Sequence, residues 1–248
     1  MTRLTFLLLS LILLLTRSAI AQPVTLTAAD GVKVHGQYWP AVGGMAPLIL
    51  AFHQAGSSHA EYAPLAPRLN AAGFSVLAID QRSGGGEFGG KNQTAAALKR
   101  EAGYDDALPD LEAALAWGRA HANGAPLLVW GSSYSAALVF VLAARHPADV
   151  QGLLAFSPSE YLGKPGSVGQ AAKSLRMPVF IDQATDEEEI ASSRAIFDVL
   201  PGKDKTLFLA TTSGVHGSAT LRAERNKPGA EENWRAVLGF LAKFKPRQ

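Results

Sequence analysis

The chain of 248 residues carries 23 Lys+Arg against 21 Asp+Glu, is 48% hydrophobic and only 18% charged, and contains no cysteine. This is material for one large domain or two small ones with a substantial core, and a formal net charge of +2 leaves no electrostatic footprint for nucleic acid. The lack of cysteine excludes disulfides, thiolate metal sites, redox CxxC chemistry and a cysteine nucleophile together, so covalent catalysis would need another residue.

Residues 1–21 read as a secretory signal peptide: Arg3 supplies the positive end, Phe6 to Leu15 is apolar but for Ser10, and Ala19-Ile20-Ala21 is a small-x-small cleavage pattern. A membrane span needs about 20 apolar residues, and Thr16, Arg17 and Ser18 interrupt the run before that length. The expectation is an exported protein, periplasmic or secreted, whose domain is residues 22–248. No cysteine follows the leader to take a lipid, so no stable membrane anchor is expected after cleavage. Arg3 and Arg17 leave with the leader, and the remaining domain is formally neutral.

Val24–Thr27 and Val32–Tyr38 flank Asp30-Gly31, a pair that marks a β-hairpin. After Gly43-Gly44 come short apolar runs of the kind that form buried parallel strands: 48–52, 74–79, 127–130, 150–156, 179–181 and 206–210. Helices are predicted between and after them at 61–72, 105–121, 135–145, 187–200 and 231–245, with Leu108, Leu111, Leu115 and Ala116 on one apolar face. The alternation predicts an α/β fold: a mostly parallel central sheet, helices on both faces and an N-terminal antiparallel hairpin.

Leu127 to Trp130 runs into Gly131-Ser132-Ser133-Tyr134-Ser135 and on into a predicted helix. A serine at a sharp strand-to-helix turn projects its hydroxyl above the sheet, with the next N–H pointing into the same space. The pattern is G-x-S-x-S, with Ser135 where a glycine gives the stronger match. A helix-capping serine is the plain alternative. Downstream, Asp186 lies past the strand at 179 and His216 sits between glycines after the strand at 206, so serine, acid and histidine each follow a strand's carboxyl end. Asp182 is the rival acid. Glu187, Glu188 and Glu189 read as first-turn acids that complement a helix dipole.

With these residues the chain resembles the α/β-hydrolase superfamily, most closely its small secreted esterase-like and dienelactone-hydrolase-like members, over nearly all of residues 22–248. The resemblance implies Ser133 as nucleophile, His216 as base and Asp186 as orienting carboxylate. It also implies an oxyanion hole from the N–H of Tyr134 and that of Gln54 or Ala55, in a loop where Gln54 replaces the usual glycine. His53 is expected to be structural or part of that loop. No cofactor is implied. The 22 residues from Ser157 to Pro178 leave room for one helix, so no sizeable cap domain is expected over the site.

The stretch Gly84 to Gly89 satisfies G-x-G-x-x-G, but Asp80 to Ser83 separates it from its strand and Asp105 opens a helix, so it reads as a mobile loop at the site mouth instead of a dinucleotide site. The functional expectation is a serine hydrolase, carboxylesterase-like, acting on a small-molecule acyl substrate through an acyl-enzyme. An exported serine peptidase of the prolyl-oligopeptidase type and a non-catalytic binding protein on the same fold are the alternatives.

Overall fold

A computed structural model describes residues 20–42 and 45–245; most of the proposed leader and Gly43-Gly44 lie outside the described residues. The strands are β1 (Gln22–Thr27), β2 (Lys33–Trp39), β3 (Leu48–Phe52), β4 (Ser75–Ile79), β5 (Leu127–Ser132), β6 (Gly152–Phe156), β7 (Val179–Asp182) and β8 (Lys205–Phe208). They form one sheet in the order β1-β2-β4-β3-β5-β6-β7-β8. β1 and β2 are the antiparallel hairpin, joined at Gly31 with φ 86°. β2 is antiparallel to β4, and every other pairing is parallel.

The helices are α1 (Ala66–Ala71), α2 (Gln93–Ala97), α3 (Leu108–His121), α4 (Tyr134–Arg145), α5 (Ser167–Ala172), α6 (Glu187–Val199) and α7 (Ala230–Leu241). Side chains alternate across a strand, so β3, β5 and β6 each feed two cores. Leu50, Val129 and Leu153 meet Leu111, Leu138 and Ile196 of α3, α4 and α6 on one face. Ile49, Trp130 and Leu154 meet Leu69, Trp234 and Val237 of α1 and α7 on the other. The buried face of α3 is Leu108, Leu111, Ala114, Leu115 and Gly118, while the predicted Ala116 is exposed.

The predicted helix from residue 61 starts late. Pro64 and Pro67 divide that segment into a 3-10 turn at His59–Glu61 and α1, which accepts Pro67 in its first turn. Between β6 and β7 there is only α5, so no large cap covers the sheet's carboxyl edge. Among the described residues no helix is long and apolar enough to cross a membrane.

Gly131 fixes where the site forms. A Cβ there would lie 2.3 Å from the Ser135 carbonyl oxygen, so only glycine lets β5 turn into α4 this tightly. Gly131→Ala is expected to lower stability by about 3 kcal/mol. Gly239→Ala, in an exposed helical position with nothing within 4 Å of the added carbon, is expected to raise it by about 1 kcal/mol. Chemical denaturation of both variants reads these opposite signs.

Candidate active site

Ser133 stands between β5 and α4 at φ 58°, ψ −124°. Its own N–H is taken by the Phe156 carbonyl at 2.8 Å. The side chain makes no helix-capping bond. Instead the Ser133 hydroxyl donates to His216 Nε2 at 2.8 Å, and His216 Nδ1–H donates to Glu189 Oε1 at 2.5 Å. The capping alternative for this serine is therefore not what the fold adopts.

The carboxylate that meets His216 is that of Glu189, where the sequence pointed to Asp186 or Asp182. Asp186 is the N-cap of α6, and its carboxylate accepts the Glu189 N–H at 3.0 Å. That bond orients the first turn so that Glu189, three residues on, reaches back over the helix start. Its second oxygen accepts the Ala184 N–H at 3.0 Å, and the histidine loop docks alongside, with the Gly214 carbonyl accepting from Thr185. Asp182 is fully buried at the end of β7. Apart from a weak approach to the Gln183 N–H its oxygens are unpartnered, and burial pushes its pKa well above the ordinary carboxylate value.

Two hydroxyls that the sequence did not flag complete this arrangement. Ser157, just past β6 at φ 53° and buried, accepts the Gly217 N–H at 2.8 Å and contacts the Glu189 carboxylate, tying acid and histidine loop together. Tyr161, half-buried, brings its hydroxyl to Ser133. Burial works to raise the pKa of Glu189, but the bonds from His216 and Ser157 outweigh it and the net shift is downward. His216 is raised above the usual imidazole value, first by its bond to Glu189, with burial opposing.

On the oxyanion side, the Tyr134 N–H opens α4 beside Ser133. The Gln54 N–H is occupied, donating to Glu61 Oε2 at 2.8 Å. The next N–H, that of Ala55, has no acceptor among the described residues. Of the two candidates, Ala55 is thus the one left free. His53 is buried and neutral, its pKa lowered to about 4 by burial; it donates from Nδ1 to the Gln54 carbonyl and accepts the Gln81 N–H. Ser135 has a use for its side chain: the hydroxyl donates to the His53 carbonyl at 2.6 Å and accepts from Gln81 at 2.5 Å, bolting α4 to the loop after β3.

The glycine-rich loop is hydrogen-bonded to the segment after β3. Gly85 and Glu87 donate to the Ser57 and Gly56 carbonyls, and a Cβ on Gly84 would lie 1.9 Å from the Asn92 amide nitrogen. Phe88, at φ 60°, packs under the guanidinium groups of Arg222 and Arg225.

Comparison with known proteins accords with this fold. A family model described as serine aminopeptidase, S33, matches residues 45–168. Among solved structures, a cold-adapted esterase from an Arctic intertidal metagenomic library is 22% identical with a TM-score of 0.70, covering 93% of this chain and 96% of its own. An esterase of Pyrococcus furiosus is 20% identical with a TM-score of 0.67, covering 92% and 94%. A dienelactone hydrolase of Anabaena variabilis is 17% identical with a TM-score of 0.66, covering 92% and 100%. No curated protein matches the sequence.

Two titrations test these placements. Followed by NMR, the His216 pKa should fall toward the ordinary imidazole value in Glu189→Gln and change little in Asp186→Asn, since Asn also caps a helix well. For Asp182, a raised folded-state pKa means stability that is complete below about pH 4 and is lost as pH climbs through the folded value. Urea denaturation across pH 4 to 9 should therefore show a flatter dependence in Asp182→Asn than in the parent.

Proposed function

Since the chain belongs to the family described as serine aminopeptidase, S33, and is a serine-type hydrolase of the α/β fold, we propose that it cleaves carboxylic esters through an acyl-enzyme on Ser133. The observation that carries this reading is the unbroken relay from Ser133 Oγ through His216 to Glu189 at the carboxyl edge of the sheet. A serine hydroxyl is a weak nucleophile until an adjacent base takes its proton. His216 Nε2 is within reach to do so, and Glu189 on Nδ1 holds the tautomer that leaves Nε2 free to accept.

Attack on the ester carbonyl forms a tetrahedral oxyanion facing the N–H groups of Tyr134 and Ala55, each worth roughly 10²–10³ in rate. His216 then returns the proton to the leaving alcohol. Water, deprotonated by the same imidazole, releases the acid and restores Ser133. The site is open: the His216 side chain is 41% exposed, and α5 is the only helix between β6 and β7. This favours small acyl esters, or an exposed acyl group on a larger molecule, as the substrate. Export through the leader at residues 1–21 would place the reaction in the periplasm or outside the cell.

The family description favours a second reading, an exported peptidase. The acylaminoacyl peptidase of Pyrococcus horikoshii shares the fold at a TM-score of 0.69 and 13% identity over 94% of this chain, but only 43% of its own length is covered. A panel of p-nitrophenyl esters beside aminoacyl p-nitroanilides separates the two. Hydrolysis of short-chain esters is expected, lost in Ser133→Ala and reduced about 10³–10⁴-fold in kcat by Glu189→Gln. Activity should rise with pH through the His216 pKa, above 6.5, because only the neutral imidazole accepts the serine proton. Anilide cleavage with no ester cleavage would favour the peptidase, and neither activity the binding protein.

A further inference from the structure

Glu61 is completely buried, and nothing in the reaction above uses it. It ends the 3-10 turn that Ser58 caps, and its side chain points back under the loop after β3. Oε2 accepts the Gln54 N–H at 2.8 Å. The hydroxyls of Ser57 and Ser132 approach more loosely, and Oε1 has no well-formed partner. Arg222 comes near but gives its Nη1 to the main-chain carbonyls of Ala60 and Glu61, so no cation sits on the carboxylate. A buried carboxyl group with so few partners is destabilising. Its one good bond goes to the N–H that would otherwise compete for the substrate's oxygen.

We propose that Glu61 is a positioning residue of the oxyanion hole: by holding the Gln54 N–H inward it fixes the peptide planes of residues 54–55 and turns the Ala55 N–H to the open side, toward a carbonyl bound at Ser133. Burial raises the Glu61 pKa to about 7, so near neutrality much of the population carries no negative charge behind the developing oxyanion. The neighbouring contacts hold the same loop from its other sides, through Ser135 on the His53 carbonyl and Gly85 on the Ser57 carbonyl. The Gln54 carbonyl, which shares its peptide plane with the Ala55 N–H, is held as well by His53 Nδ1 and the Ser57 N–H, and Glu61 is the group that takes the Gln54 N–H out of competition.

The proposal rests on the ester-hydrolysis reading, and its test separates the two. The wild-type protein is compared with Glu61→Met, which keeps the volume and removes the acceptor, and with Glu61→Gln, whose amide oxygen can still accept. All are checked for folding by thermal unfolding. On p-nitrophenyl acetate, Glu61→Met should lose about 10–100-fold in kcat with KM nearly unchanged, because a misplaced donor is felt only in the transition state. Affinity for a boronic acid, which forms a tetrahedral adduct on the serine, should fall in parallel. Glu61→Gln should recover most of the loss. Should Glu61→Met not fold, Glu61→Asp replaces it, its shorter reach predicting a similar fall in kcat relative to Glu61→Gln. A folded Glu61→Met with wild-type kcat, Gln and Met variants equally impaired, or an Asp variant as active as the Gln variant would overturn the proposal while leaving Ser133-dependent hydrolysis standing. A wild-type protein that hydrolyses no ester would overturn both.

Discussion

Everything around the site depends on holding Ser133 in a backbone conformation that a side-chain-bearing residue adopts only at a cost of about 1–3 kcal/mol. Its φ of 58° lifts the hydroxyl out of the β5-to-α4 turn and aims it at His216. The surroundings leave it no alternative. Gly131 lets the helix backbone close onto the strand, the Phe156 carbonyl takes the serine's own N–H, and the Ser135 hydroxyl ties the first turn of α4 to the His53 carbonyl just past β3. Two fully buried strands on either side, β3 and β6, supply those anchors. The core thus sets the geometry of the turn, and the turn sets the direction of the nucleophile.

The same logic extends along the carboxyl edge. β6 ends in Ser157, also at positive φ, whose hydroxyl links the Glu189 carboxylate and the Gly217 N–H. β7 leads to α6, whose N-cap Asp186 turns Glu189 toward the imidazole. β8 leads to the loop that carries His216. Ser133 and Glu189 are each held by a bond outside the relay, the first to the Phe156 carbonyl and the second from the Ala184 N–H, and the loop that carries His216 is pinned at its neighbours Val215 and Gly217. The oxyanion side follows suit, with Glu61 beneath the loop and the glycine-rich segment 84–89 hydrogen-bonded along it.

Much of this was legible in the residues. Strands buried on both faces are short apolar runs, so 48–52, 127–130 and 150–156 declare themselves within a residue or two. The Asp30-Gly31 hairpin and the Gly131 to Ser135 turn are equally plain, because their glycines answer to backbone requirements that no other residue meets. The acid was harder. Asp186 and Glu189 are the two ends of a capping-box pattern, and along the sequence either can be the one that stays on the helix. Only the docking of Gly214 against Thr185 brings the histidine within reach of the third position and not the first. Glu61 was hidden for a related reason: the predicted helix over 61–72 merely starts at it, whereas Pro64 and Pro67 divide the segment into a 3-10 turn and α1 and Glu61 ends that turn fully buried. Helix α2, only five residues long, is too short to show a period.

In the proposed reaction Ser133 becomes covalently acylated. The most direct measurement is intact-protein mass spectrometry, with peptide mapping, of the protein quenched in acid within milliseconds of mixing with p-nitrophenyl acetate. The peptide containing Ser133 should carry an added acetyl group in the wild-type protein and none in Ser133→Ala. Turnover without a mass increment on any serine, or an increment on another residue that survives in Ser133→Ala, would contradict it.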